Sequence, residues 1–474
     1  MDETTGGASP GRDRDAKPGS RPEPAGSTAP AISRRDLLKT FGAGAAVLGA
    51  GRLGELGDLA RPSRAPYVSK SSTVVIGYVT PETGALAGFS LADKYVLGKV
   101  RSAPPYKNGI KIGGRTYKLE IIPVDSQSDP SRASTVAKQL IQQNKADIVV
   151  TSSAPETTNP VALTCQQLHV PSLATVVPWE SWYAGLGGNP LKPTTTFAYA
   201  SVFFFGMKEF ADTFLPMWNR VESKTHAAKV FAGMFPNDAD GNAFRAGFPI
   251  FAKAAGYKFI DGGAYTDLTQ NYSSMISKFK ASGAEFFVNC PLPPDFNTFW
   301  KQAVQQGFRP RLATVAKVLL FPADVAALGS LAKNIATDAW WTPYAPYRSS
   351  MTGETTKAFA TGYQNSSGQE WIQSMGSTYS LFEVVVEALK RVDDPHDKAQ
   401  LAAALHKVHY SGMTGPLNFA AGPAPGVAIV KPVGIQWKPG TNSLGKKFPF
   451  QPFVVDNTQN PAVPINGDLV PTNP

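Results

Sequence analysis

Hydrophobic and polar positions alternate along the chain in blocks of strand and helix length. Thr73–Val79 (TVVIGYV) is an unbroken apolar run that ends in a turn rich in Pro and Gly. A run without alternation suits a parallel strand covered on both faces. Tyr117–Val124 (YKLEIIPV) is a second strand. Asp129-Pro130 then supplies a helix N-cap and an N1 proline. Ala133, Val136, Ala137, Leu140 and Ile141 follow at helical spacing and give one apolar stripe. Asp147–Thr151 is the next strand, and a helix around Val161–Leu168 leads into the apolar segment Val170–Val177.

The same alternation restarts in the middle of the chain. Lys229–Met234 reads as a strand and Asn242–Ala255 as a helix. Tyr272, Met275, Ile276 and Phe279 form a helical stripe closed by Gly283, and Glu285–Asn289 is a strand. Phe296, Phe299, Trp300, Ala303 and Val304 form another stripe, closed by Gly307. Glycine just past the last periodic residue is a helix stop. Ser380–Val392 reads as a buried helix, Lys398–Val408 as an amphipathic one and Ser411–Phe419 as a turn entering a strand. Val433–Trp437 is a late strand, and the Pro/Asn-rich tail from Asp456 is expected to lie extended on the surface. Strands alternating with helices mean βαβ units and a parallel sheet. Two such series in one chain make the fold class α/β with two lobes.

Composition agrees with a globular body: 474 residues, 42% hydrophobic and 17% charged, with 43 Gly and 40 Pro. That excludes a fibre, a coiled coil and a fully disordered chain. No apolar run in the body reaches the ~18–20 residues of a membrane span, so the body reads as soluble. The N-terminal region differs. Residues 1–31 are rich in Gly, Pro, Asp, Arg and Ser and read as disordered. Ser33-Arg34-Arg35-Asp36-Leu37-Leu38-Lys39 and the small-residue stretch Thr40–Ala50 then resemble a twin-arginine export signal. The resemblance implies the twin-arginine export machinery as a partner and an exported, extracytoplasmic protein, in the periplasm or on the outer face of the cytoplasmic membrane. No cysteine follows the stretch, so a lipid anchor is not expected there, and the mature chain is expected to start between Gly51 and Pro66. Residues 1–65 are left out of the fold.

The net charge of +10 is spread along the chain without a block of like charge. It reads as solvated surface, with attraction to acidic membranes or anionic ligands as the alternative. Nucleic-acid binding is not expected, since no basic-aromatic stripe is present. Catalytic signatures are missing: no Gly-x-x-x-x-Gly-Lys-Ser/Thr loop, no Gly-x-Ser-x-Gly and no His-Glu-x-x-His. His406 and His409 stand three apart on an expected helix, but no Cys or acidic cluster accompanies them, so they read as exposed helix histidines and neither metal nor cofactor is expected. Asp238 and Asp240 read as a capping turn, because the spaced ligand set of a calcium loop is lacking. Two α/β lobes without catalytic apparatus point to a binding protein and not an enzyme. In such folds the ligand sits at the carboxyl ends of the strands, in a cleft between lobes.

Several short motifs, in order, resemble the type I periplasmic solute-binding proteins of the branched-chain amino acid group that serves ABC transporters. They are Ile76-Gly77-Tyr78 through Thr83-Gly84, Asp125 with Asp129-Pro130, Ser152-Ser153 before Val170-Pro171, Gly376–Ala388 and Gly415–Phe419. The resemblance spans about Thr73 to Lys438. It implies two Rossmann-like lobes with parallel sheets joined by a three-segment hinge, with crossovers near Ala200–Phe204, Ala339–Thr342 and Ala420–Gly426. Lobe one is then residues 70–200 plus 342–422, lobe two residues 201–341 plus 423–455, and 456–474 an extended tail. Cys165 and Cys290 fall in different lobes, where a disulfide would staple the hinge, so free thiols are expected.

The resemblance also implies a ligand site. Lobe-one hydroxyls and amides for a carboxylate fall on Ser152, Ser153, Ala174 and Thr175; simple turn chemistry is the alternative for the two serines. Phe89 takes the place of an aromatic residue that lines the site. Amino-acid binders of the family hold the ligand's ammonium with acidic residues at two positions. Here Ser201 stands at the first, and Ala316 or Lys317 at the second. A buried lysine there repels an ammonium, so the expected ligand is a carboxylate with apolar or aromatic character rather than an ordinary α-amino acid. Lys317 then pairs with a second carboxylate or polar oxygen, or is a solvated surface lysine. Three or four of the aromatic residues Trp179, Trp182, Tyr199, Phe203, Phe204, Phe205, Trp340, Trp341 and Tyr344 are expected to line the site, with Asp240 and Leu292 contributed by lobe two.

The function these readings imply is capture of a small organic solute by hinge closure, by a monomer whose closed form is recognised by an ABC transporter permease. A ligand sensor of the same fold, acting on a signalling partner, is the alternative.

Overall fold

The computed structural model describes residues 71–441, 444–445 and 447–472. The expected export signal and the rest of residues 1–65 lie outside the described residues. Two seven-stranded sheets organise the chain. In the first, the spatial order is Val427–Ala428, Ala200–Phe203, Ser172–Thr175, Ile148–Ser152, Thr73–Thr80, Arg115–Asp125 and Ile110–Ile112. Every pairing is parallel except the last, an antiparallel edge. In the second, the order is Lys447–Asp456, Val433–Thr441, Ala336–Ala339, Leu312–Val315, Phe286–Asn289, Val230–Pro236 and Lys258–Tyr265. Its first two pairings are antiparallel and the rest parallel. Helices flank both sheets, which is the two-lobed α/β fold that the periodicity predicts.

The chain passes between the sheets after Phe203, after Ala339 and after Ala428. Val427–Ala428 pairs in parallel with Val202–Phe203, so the chain is still in the first sheet just past Ala420–Gly426.

Local chemistry sets the element ends. Asp129 caps the helix Pro130–Gln142 and accepts from the Arg132 amide at 2.6 Å. Gly283 and Gly307 close the helices Ser273–Ala281 and Pro293–Gln305 at φ 64° and 76°, a backbone region that costs glycine nothing. The helix Ser374–Leu389 is buried on nearly every face, as expected of a helix that is apolar all round. It packs on the strands Ile148–Ser152 and Ser172–Thr175, and Thr378 donates to Ser152 Oγ at 2.9 Å.

Two sequence expectations change. His406 caps the helix Lys398–Leu405, whereas His409 opens the strand His409–Gly412, so the two do not share a helix. The helix stops because the chain must turn into the hairpin with Gly415–Asn418. The C-terminal tail is not merely laid on the surface: Val463, Leu469 and Thr472 are buried. Thr472 donates its amide to the Arg311 carbonyl at 2.8 Å, and its hydroxyl accepts from the Ala313 amide at 2.9 Å. Several strands escape the pattern reading, among them the four-residue central strands Leu312–Val315 and Ala336–Ala339 and two longer edges. Lys258–Tyr265 is a half-exposed edge with two glycines, and Lys447–Asp456 carries prolines that only an edge tolerates. Cys165 and Cys290 are free and buried. No helix among the described residues is long and apolar enough to cross a membrane.

Two buried glutamates in the first lobe contrast. Glu383 accepts from the Ser350 amide at 2.6 Å, the Met413 amide at 2.8 Å and the Ser380 hydroxyl at 3.0 Å. Glu370 is only 4% exposed, and neither of its carboxylate oxygens has a hydrogen-bond partner among the described residues. Burial pushes its pKa from 4.5 up to about 9. The native state therefore keeps a proton that the unfolded chain has lost. Its contribution favours the fold at low pH and is lost as pH rises from about 4.5 to about 9. The thermal midpoint of Glu370→Gln, followed by circular dichroism, should fall less steeply than that of the parent between roughly pH 5 and pH 9. Equal slopes would mean that this carboxyl does not titrate in the folded state.

Candidate ligand cleft

Parallel strands deliver their carboxyl ends to one edge of a sheet, and the two edges face each other here. From the first sheet, Ile148–Ser152 leads to Ala154, Ser172–Thr175 to Val176 and Pro178, and Ala200–Phe203 to Phe204 and Phe205. From the second, Phe286–Asn289 leads to Cys290, Leu312–Val315 leads to Ala316 and Lys317, and Ala336–Ala339 carries Asp338 and leads to Trp340. With Phe89, Phe210, Asp240 and Leu320, these residues line a narrow cavity of about 30 Å³. The walls are aromatic: the Phe204 ring meets Trp340 edge-on at 4.9 Å and Phe205 at 4.3 Å. Phe89 meets Phe321, which follows a second-sheet strand, edge-on at 4.9 Å, so the rings also join the lobes.

Two rim residues hold unusual backbone. Val176 has φ 65°, although a β-branched side chain disfavours that region. Lys317 has φ 63° and ψ −73°, and the Val318 amide donates to the Ala316 carbonyl at 2.8 Å. That is a γ-turn of the rare positive-φ kind. Such conformations cost roughly 1–3 kcal/mol each and persist where surrounding packing over-determines them. They occur at matching places, one just past a strand of each sheet.

The Lys317 turn aims a buried ammonium into an acidic cluster. Lys317 Nζ lies 3.0 Å from Asp240, 3.2 Å from Glu156 and 3.8 Å from Asp238. Glu156 belongs to the helix Pro155–Gln167 of the first sheet, and the other three residues to the second, so the cluster bridges the lobes. Burial works against the lysine charge, but Glu156, Asp240 and Asp238 outweigh it and hold its pKa above the ordinary value. Burial raises Asp240 and Asp238 against the pull of Lys317. Asp338, 1% exposed, is pushed by burial to about 7. Asp238 does cap the helix Ala239–Ala254, accepting from the Gly241 amide at 2.6 Å, as the capping reading expects.

Of the residues expected at the site, Phe89, Asp240, Ala316 and Lys317 line the cavity. Lys317 is buried, not a solvated surface lysine, and its acidic partners come from the chain itself. Ser152, Ser153, Ala174 and Thr175 sit behind the wall that Ala154 and Val176 form. Ser152 Oγ accepts from Thr378, and Thr175 Oγ1 donates to the Phe203 carbonyl at 2.8 Å. The Ser153 and Ser201 hydroxyls are buried without a hydrogen-bond partner among the described residues. Leu292 caps the helix Pro293–Gln305 and packs against the core. Phe204, Phe205 and Trp340 line the cavity from the expected aromatic set. Sequence reasoning missed Glu156, Asp338, Val176 and Cys290. A signal existed for Glu156, an acidic residue in the first turn after Ala154-Pro155. None existed for Val176, whose backbone strain has no sequence signature.

Comparison with known proteins agrees with this geometry. A leucine-binding protein from Thermotoga maritima superposes with a TM-score of 0.63 at 17% identity, covering 77% of this chain and 95% of that one. An ABC-transporter solute-binding protein from Rhodopseudomonas palustris BisB5, in complex with 3,4-dihydroxybenzoic acid, gives 0.60 at 17%, covering 81% and 98%. Another from R. palustris, in complex with 4-hydroxybenzoate, gives 0.60 at 16%, covering 80% and 97%. No curated protein matches the sequence. A periplasmic binding protein family model matches residues 73–428, and with the two-lobed fold and its cleft this establishes that the chain belongs to the type I periplasmic binding proteins.

Proposed function

We propose that this chain is the extracytoplasmic substrate-binding protein of an ABC importer, and that it captures a small carboxylate of apolar or aromatic character rather than an ordinary α-amino acid. The observation that carries the reading is the cavity wall, where Phe89, Phe204, Phe205, Phe210 and Trp340 converge. Pockets of this kind hold a ligand by its apolar body and orient it with a few polar groups. The carboxylate is assigned to the first-lobe wall at Ala154, where the helix Pro155–Gln167 begins and a helix N-terminus favours an anion. Ser201 stands where amino-acid binders carry an acid at the first crossover, which removes one of the two groups that fix an α-ammonium. The two R. palustris proteins in complex with hydroxylated benzoates support the aromatic class.

The mechanism is hinge closure about the three chain passages. A ligand that contacts both lobes shifts the population to the closed form, which the permease recognises, and the ligand leaves chemically unchanged. The reading assigns this chain binding alone, with no chemistry on the ligand, in keeping with a family of binding proteins. Export by the twin-arginine machinery and a monomeric state complete the reading.

Trp340→Leu should weaken an aryl carboxylate by roughly tenfold, about 1.4 kcal/mol, in isothermal titration. Unchanged affinity would remove the ring from the site. Lys317→Met leaves Glu156, Asp238 and Asp240 without their shared cation. It should lower stability to chemical denaturation by about 3–5 kcal/mol at neutral pH, with part recovered in acid as the carboxyls protonate. A loss unchanged by acid would mean that packing, not charge, is what the lysine supplies.

A further inference from the structure

The polar groups of the cavity are unevenly distributed. Lys317 is the cation at the wall, and an ammonium has three N–H donors. Asp240, Glu156 and Asp238 surround it at 3.0, 3.2 and 3.8 Å, so its donors face acceptors of the chain itself. Acceptors are in surplus. Asp240 Oδ1, Glu156 Oε2 and Asp238 Oδ2 are buried without hydrogen-bond partners among the described residues. Asp338, which lines the cavity and is 1% exposed, receives a side-chain hydrogen bond among the described residues only from Thr337 Oγ1, at a long 3.3 Å. Asp240 also lines the cavity and is 3% exposed. One lysine thus stands among two fully buried carboxyls, Asp240 and Asp338, and the less buried Glu156 and Asp238, so the site offers more acceptors than donors. Buried carboxylates are stable only when paired, and aromatic faces attract cations.

We propose that the ligand carries a protonated amine remote from its carboxylate, and that Asp240 and Asp338 receive it beside Phe204 and Trp340. The inference rests on the carboxylate reading above and extends it: the guest is a zwitterion whose two charges are separated by an apolar or aryl body. Its carboxylate faces the first-lobe wall at Ala154, where the helix Pro155–Gln167 begins, and its amine faces the second-lobe acids. An α-amino acid does not fit this division, because its ammonium lies next to its carboxylate.

Isothermal titration of the full chain with two matched series tests this. The aryl series is 4-methylbenzoate, 4-(hydroxymethyl)benzoate, 4-(aminomethyl)benzoate and terephthalate; the aliphatic pair is pentanoate and 5-aminopentanoate. In whichever series binds, the amine member should bind at least about tenfold tighter than its methyl counterpart, and terephthalate should be the weakest aryl ligand. Asp338→Asn, which disturbs no ion pair, and Asp240→Asn should each shrink the amine-to-methyl ratio to below about threefold, with folding checked by circular dichroism. A methyl or second-carboxylate member that binds as well as the amine overturns the amine subsite and leaves the carboxylate reading standing. If no member of either series binds, the carboxylate reading falls and the amine subsite with it.

Discussion

One buried ammonium ties the site together. Lys317 is 6% exposed and reaches carboxylates from both lobes. Removing such a charge from water costs several kcal/mol, recovered only when paired groups surround it. The pairing is possible because a helix of the first sheet presents Glu156, while Asp238 and Asp240 open a helix of the second. The ion cluster and the aromatic contacts across the cleft, such as Phe89 with Phe321, together hold the two lobes against each other.

The backbone explains why the cluster sits at the cleft. Both sheets are largely parallel, so each sends loop after loop to one edge. The residues past those strand ends carry nearly all of the wall. Val176 and Lys317 hold positive φ just past strands of opposite sheets, which places a side chain where a relaxed loop would turn it aside. Strain of this kind is retained where the neighbours leave no alternative.

Much of the architecture was legible in the sequence, because apolar runs of strand length and 3.6-residue stripes are direct consequences of burial on two faces or one. Gly283, Gly307 and Asp129 marked helix ends for the same local reasons that the structure displays. Edge strands such as Lys258–Tyr265 and Lys447–Asp456 were not legible, since half-exposed strands lose the apolar pattern. The site was legible in part. Phe89, Asp240, Ala316 and Lys317 were expected and line the cavity. Charge complementarity was not legible: Lys317 looked like a lone cation, because Glu156 lies 161 positions away in the chain and pairs with it only after both lobes have folded. The strained Val176 and the acid Asp338, on the four-residue strand Ala336–Ala339, gave no periodic signal at all.

The central claim is that two lobes shut over a guest at this cleft. Distance measurement by pulsed electron paramagnetic resonance tests it directly, with nitroxides at Leu91→Cys and Ile250→Cys. The parent side chains are 59% and 56% exposed, and the native cysteines are buried away from the label. The account predicts a broad distribution of separations without ligand that collapses to one short distance when a bound carboxylate saturates the protein. A single distance, identical with and without a ligand shown to bind, would contradict it.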